Sequence, residues 1–379
     1  MDILKEIKTV GQSLWLDSLS RDMLANGTLA AMKKNLGVTG VTSNPSIFEA
    51  AMTKSKAYAE DMRRLAAEGE KAEAVLEKLE LEDIRQAAGL FNDVYEATGG
   101  ADGFVSMEVN PALAYDQERT VSEGERLFAA LARRNVMIKV PATAQGVKAG
   151  NALLKKGVNI NFTLIFSPER YGEVVQAYVD ALTWRAANKL PVDALASVAS
   201  FFVSRIDTAT DIELETLLDS DDSFETEELY DLALAARGSA AIANSLVAYG
   251  MYALIFSSKE FKPLRENGAM KQRILWASTG VKNPAYKDTL YADALLLPDS
   301  VNTLPEAALK AFVDHGAPVR TPLKARLAGA AAYFAQLGLV GVDFPAILAA
   351  LETDGVEKFS RSNDVLLAHI EKMTGSPRK

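Results

Sequence analysis

The chain has no cysteine at all, and this removes disulfides, thiolate nucleophiles, iron–sulfur clusters and every cysteine-containing zinc site. Histidine is nearly as scarce. Only His315 and His369 occur, too few for a histidine-rich metal centre, and both are expected at the surface or at helix ends. There is no excess of positive charge: 41 Lys and Arg stand against 50 Asp and Glu, a formal charge of -9, which argues against bulk neutralisation of nucleic-acid phosphates. No run approaches the ~20 apolar residues that a bilayer span requires. The first residues, Met1-Asp2-Ile3-Leu4-Lys5-Glu6, lack the apolar centre of a signal peptide, so a soluble cytoplasmic protein with neither nucleic-acid nor membrane partners is expected.

What is present is an ordinary globular composition over 379 residues, with 49% hydrophobic and 24% charged positions. The acidic excess is concentrated. Between Arg205 and Arg237 there is no Lys or Arg, but there are eleven acids from Asp207 to Asp231, more than the whole deficit, so the rest of the chain is slightly basic. Such a run reads as a solvated loop and helix face.

Eight short segments are uniformly apolar or rich in β-formers: Ser13 to Leu16, Gly40 to Ser43, Phe104 to Val109, Val136 to Val140, Ile160 to Phe166, Ala199 to Val203, Arg273 to Ala277 and Ala292 to Leu297. Near-continuous hydrophobicity is what a parallel strand covered on both faces needs. Helical periodicity separates them. Ser167 and Pro168 offer a cap and a first helical position ahead of Tyr171, Val174, Val175, Tyr178, Val179 and Leu182. Residues 56–97 read as mostly helical with a break near Gly69, and Ser239 to Phe261 as another long helix. Beyond Leu304 only helices are expected: Pro305 to Phe312, Leu323 to Leu337, Pro345 to Leu351 and Val356 to Met373.

Eight strands alternating with helices make an α/β protein, either a (β/α)8 TIM barrel or a doubly wound sheet. The turn Leu16-Asp17-Ser18-Leu19-Ser20-Arg21 carries no glycine-rich nucleotide fingerprint, which favours the barrel. No linker or low-complexity tract divides the chain. One domain is expected, with a helical insertion at about 56–97, an acidic insertion at about 207–236 and a helical C-terminal region at about 304–379.

Catalytic groups of a barrel sit where its strands end. Those positions here are polar: Asp17, Asn44, Glu108, Asn110, Lys139, Asn161, Thr163, Ser200, Arg205 and Ser278. Lys139 stands out because Val136-Met137-Ile138 and Val140-Pro141 flank it. Burial disfavours an ammonium ion and yields the free amine that Schiff-base chemistry uses; the same lysine could instead be half of a structural ion pair with Asp17 or Glu108. Two carboxylates on different strands could divide acid and base roles, though spacing does not assign them. Arg205 and Lys282 follow the sixth and seventh strands, where barrel phosphate sites often lie.

Four motifs in order resemble the transaldolase family: Thr42-Ser43-Asn44-Pro45-Ser46; Met137-Ile138-Lys139-Val140-Pro141-Ala142-Thr143; Asn159-Ile160-Asn161-Phe162-Thr163-Leu164; and Trp276-Ala277-Ser278-Thr279 with Lys282-Asn283-Pro284. The resemblance runs from about Leu14 to the C-terminal helix, and the chain is similar to the longer bacterial subgroup. It implies transfer of a dihydroxyacetone unit between sugar phosphates in the non-oxidative pentose phosphate pathway, by a monomer or homodimer using no metal or organic cofactor. Lys139 would be the Schiff-base lysine and Asp17 the base for the C4 hydroxyl. Glu108 would manage imine proton transfers with a water placed by Thr163. Asn44 and Asn161 would hold the dihydroxyacetone hydroxyls, and Ser200, Arg205 and Lys282 the phosphate. The alternatives are a lyase like fructose 6-phosphate aldolase, which would turn over without an acceptor, and a barrel that binds sugar phosphates without catalysis.

Overall fold

The computed structural model describes residues 2–220 and 224–375. Eight parallel strands close in sequential order: β1 Ser13–Leu16, β2 Val38–Thr42, β3 Val105–Glu108, β4 Val136–Pro141, β5 Ile160–Ile165, β6 Ser197–Phe202, β7 Arg273–Ala277 and β8 Val301–Leu304. The ring is completed by β1 against β8, with Ser13 opposite Val301 and Leu16 opposite Leu304. This is the (β/α)8 barrel expected from the alternation of apolar runs. Strands β3 to β6 are buried along their whole length, as helices outside and packed side chains inside require.

The eighth strand is displaced from its expected place. Ala292 to Leu297 is not a strand; Leu290–Ala294 is a short helix, and β8 begins at Val301. Alanine and leucine favour helix over sheet, while the true strand is disguised by Asn302 and Thr303, buried polar residues within it. The helices expected as Pro345 to Leu351 and Val356 to Met373 are one continuous helix, Phe344–Thr374. Gly355 does not break it. A Cβ there would stand 3.0 Å from Leu164 Cδ2, so the missing side chain lets the helix lie close against the barrel.

The stretch at 56–97 folds as helices Ala59–Ala67 and Ala72–Ala97, interrupted at Gly69, whose φ of +90° suits glycine. The acidic run is only partly a solvated face. Glu213, Glu215, Asp219, Glu225, Glu227, Glu228 and Asp231 are exposed, but Asp207 and Asp211 are buried within helix Ser204–Leu218. Asp207 accepts from the Ala241 amide at 2.7 Å and the Tyr291 hydroxyl at 2.9 Å. Asp211 accepts from the Gly238 amide and the Tyr286 hydroxyl, each at 2.8 Å. Buried carboxylates persist where donors converge on them, so these two tie the insertion to the barrel. Asp221 and Asp222 lie outside the described residues.

At the floor of the barrel, Asp102 accepts from the Trp15 indole at 2.8 Å and from Ser13, which in turn accepts from Arg273. The Trp15 ring packs against β2 at Gly40, where a Cβ would come within 2.7 Å of it. Among the described residues no single helix is long and apolar enough to cross a membrane.

Candidate active site

Lys139 is directed into the barrel by strand alternation: its neighbour Ile138 turns outward to the helix Gln117–Leu131, where its Cγ2 lies 3.6 Å from the place a Cβ on Gly124 would occupy. With 3% of its surface exposed, Lys139 is the most enclosed cation of the site. Parallel register sets Glu108 on β3 directly beside it and Asn161 on β5 on its other side. Lys139 Nζ lies 3.3 Å from Glu108 Oε2 and donates to the Ser43 carbonyl at 3.1 Å. The ring of Phe359, from the C-terminal helix, lies over the ammonium at 5.6 Å.

Asp17 follows β1. Its Oδ1 accepts from the Thr42 hydroxyl at 2.6 Å, and Thr42 Oγ1 lies 2.6 Å from Thr303 Oγ1. With a single proton on Thr42 engaged by the carboxylate, Thr303 must be the donor of the second bond. Burial pushes Asp17 above the usual carboxylate range; Lys139, the Thr42 bond and Lys282 pull the other way and are together outweighed. Burial likewise lifts Glu108 to about 7, with Lys139 opposing and Asp17 assisting. A carboxyl poised near neutrality both gives and takes a proton readily.

Asp17, Asn44, Lys139, Ser200, Arg205 and Lys282 line one cavity of about 130 Å³. Glu108 instead lines an adjoining chamber of about 170 Å³, which Asn44 also borders and which carries Glu73, Glu77, Glu80 and Glu123. Glu108 therefore stands between Lys139 and a second, acidic space. Asn161 and Thr163 are fully buried. Asn161 donates to Ser106 Oγ at 3.0 Å and accepts from Ser200 at 2.7 Å, so its amide is fixed from two strands. The Ser200 proton is thereby engaged by Asn161. Thr163 Oγ1 has no hydrogen-bond partner among the described residues.

Asn44 caps helix Pro45–Lys54, with Oδ1 accepting from the Ile47 amide at 3.0 Å. Its NH2 is the end left for a ligand. The Arg205 guanidinium lies over Phe202 at 5.5 Å, and its buried Nη1 has no hydrogen-bond partner among the described residues. Burial lowers its pKa, and Asp354 only partly offsets this. A guanidinium so placed beside Lys282 suits an anion. Asn110 caps the turn Pro111–Leu113 and lies in the adjoining chamber. Ser278 adopts a φ of +54° at the end of β7 and meets Ser204 at 3.0 Å. His315, paired with Asp288 and Asp314, and His369 border neither chamber. Among the described residues no group of three or more His, Asp or Glu is arranged to hold a metal.

Comparison with known proteins places the chain in a family. Residues 14–370 match the family described as transaldolase/fructose-6-phosphate aldolase. The chain is 43% identical over 369 residues to a transaldolase of Saccharopolyspora erythraea, covering 97% of each protein. It is 44% identical over 370 residues to one of Thiobacillus denitrificans, covering 98% of this chain and all of the relative. A Mycolicibacterium smegmatis transaldolase is 42% identical over 376 residues, covering 99% of this chain and 98% of the relative.

The chain belongs to the transaldolase/fructose-6-phosphate aldolase family.

Three contributors to the site in this family member were not foreseen from sequence. Thr42 and Thr303 steady Asp17, and Phe359 lines the cavity with its ring over Lys139. Thr42 sits beside Ser43 and Asn44 in the second-strand motif, so its place at a strand end was a usable signal. Thr303 was hidden with β8, and Phe359 carries no polar mark.

Proposed function

We propose that the chain is a transaldolase. It transfers a dihydroxyacetone unit from sedoheptulose 7-phosphate to glyceraldehyde 3-phosphate, giving erythrose 4-phosphate and fructose 6-phosphate, and operates in the cytoplasm as a monomer or homodimer built on a single (β/α)8 domain with helical insertions. The observation that carries this reading is Lys139 Nζ, buried on an apolar strand, 3.3 Å from Glu108 and lining the same cavity as Asp17, Arg205 and Lys282.

In this reading Lys139, its proton handed to Glu108, attacks the ketose carbonyl, and the carbinolamine loses water with Glu108 shuttling the proton. Thr163, whose hydroxyl has no partner among the described residues, positions that water. Asp17 takes the C4 hydroxyl proton, the C3–C4 bond breaks, and the aldose phosphate departs. The bond's electron pair stays with the three-carbon unit as an enamine on Lys139. Asn44 holds a hydroxyl of this unit through its NH2, while Asn161, locked between Ser106 and Ser200, presents a rigid amide beneath it. The acceptor aldehyde then reverses the sequence. Arg205 and Lys282 hold the phosphate, and Ser200, its proton given to Asn161, would have to release that bond to join them.

Borohydride reduction in the presence of fructose 6-phosphate should fix a dihydroxyacetone adduct on Lys139, located by mass spectrometry. Lys139→Met should bind substrate within a modest factor and form no adduct. An adduct on another lysine, or none on the unaltered protein, overturns the assignment.

A further inference from the structure

The cavity that holds Lys139 mixes polar walls with apolar ones from Phe202, Pro305 and Phe359, and of these Phe359 comes from the C-terminal helix. The helix Phe344–Thr374 lies against β5 and helices Pro45–Lys54, Ala72–Ala97 and Ser204–Leu218, and so crosses the end of the barrel where the strands finish. Two contacts fix its height. Gly355 admits Leu164 and Phe166 against the helix backbone, and Ser362 Oγ lies 2.8 Å from Ser46 Oγ. Gly355, Phe359 and Ser362 are spaced four and three residues apart, so they share one helical face. The ring between the two anchors is lowered onto the mouth, 2% exposed and 5.6 Å from Lys139 Nζ.

We infer that Phe359 is a water-excluding residue of the site, and that its bulk over the Lys139 nitrogen sets the ratio of aldol transfer to hydrolysis of the bound three-carbon unit. This rests on the Schiff-base reading above. Hydrolysis begins when the nucleophilic carbon of the enamine takes a proton, giving an iminium ion. Water then adds to the imine carbon and passes its proton to a base. The carbon–nitrogen bond then breaks with its electron pair returning to Nζ, the hydroxyl oxygen forms the carbonyl as it gives up its proton, Nζ takes up a proton, and free dihydroxyacetone leaves. The first step needs a proton source at the enamine carbon, and a ring filling the space above Nζ keeps bulk water from supplying it; the later addition of water to the imine carbon is shared with release of the product ketose. The effect belongs to volume and not to the π face, because the enamine that must be protected is neutral.

The test is a graded series, Phe359→Leu, Phe359→Val and Phe359→Ala. Dihydroxyacetone released from fructose 6-phosphate alone is compared with transfer to erythrose 4-phosphate. Leu should keep the hydrolysis-to-transfer ratio within about twofold of the parent, while Val and Ala should raise it by about tenfold or more. If Ala does not fold, the comparison of Leu with Val decides. An unchanged ratio in the smaller variants overturns the inference, as does a Leu ratio as high as that of Ala or Val. Borohydride trapping runs alongside on the parent protein. No adduct there removes the Schiff-base reading itself, whereas a normal adduct with an unmoved ratio removes only the role of Phe359.

Discussion

Replacing Thr42 with valine would isolate what holds Asp17 in its working state. The change preserves shape and deletes the hydroxyl that donates to Asp17 Oδ1 at 2.6 Å. The Asp17 pKa is already raised from the ordinary 3.8 by burial, and the Thr42 bond is one of the three influences that restrain it. Removing a donor to the ionised form raises the pKa further. A hydrogen bond to a charged group contributes about 1.5–3 kcal/mol, and one unit corresponds to about 1.4 kcal/mol, so the expected rise is about 1–2 units. A base must be ionised to act, so the acid limb of the cleavage rate should move up by that amount and the rate on that limb should fall about tenfold to a hundredfold. The assay is single-turnover cleavage of fructose 6-phosphate across pH, followed through release of glyceraldehyde 3-phosphate, because the role proposed for Asp17 lies in this step and not in imine formation. Thr42→Ser keeps the hydroxyl and should keep the parent profile. A folded Thr42→Val enzyme whose acid limb stays in place, or moves down, would refute both the Thr42–Asp17 coupling and the assignment of Asp17 as the base.

Other perturbations address separate parts of the molecule. Arg205→Ala should raise KM for fructose 6-phosphate by about ten- to a hundredfold with little loss of kcat, because a phosphate grip remote from the breaking bond contributes uniform binding; equal KM values would remove Arg205 from the phosphate site. Glu80→Gln should stabilise the fold increasingly with pH. Burial, followed by Glu77, Asp83, Glu108 and Glu123, lifts the Glu80 pKa from 4.5 to about 8, so folding takes up a proton between those values and the parent loses stability as pH rises through them. Glutamine carries no such dependence, and its advantage in urea unfolding should be near zero at pH 4, grow to a few kcal/mol by about pH 8 and then level off. A pH-independent difference would show that Glu80 ionises normally.

The barrel was legible wherever a strand is apolar on both faces, as in Val136-Met137-Ile138, because a short run of that kind is what helices outside and packed side chains inside demand of a parallel strand. It failed at β8, where Asn302 and Thr303 interrupt the pattern and the neighbouring apolar run is a buried helical turn. The site divides along the same line. Lys139 was conspicuous because a cation inside an apolar strand breaks the local rule, and a broken rule asks for a reason. Asp207 and Asp211 show the limit of reading charge: they sit in an acidic run that looks wholly solvated, yet donors brought from residues 238 to 291 bury them. Phe359 is the opposite case. A phenylalanine at helical spacing obeys every rule for a core residue, and by burial it is one; only the path of its helix across the barrel mouth turns that burial into a cover for Lys139. Groups that make and break bonds violate local patterns and are therefore visible in sequence. Groups that keep water out conform to those patterns, so the part of the site expected to favour transfer over hydrolysis emerges only when the chain is folded.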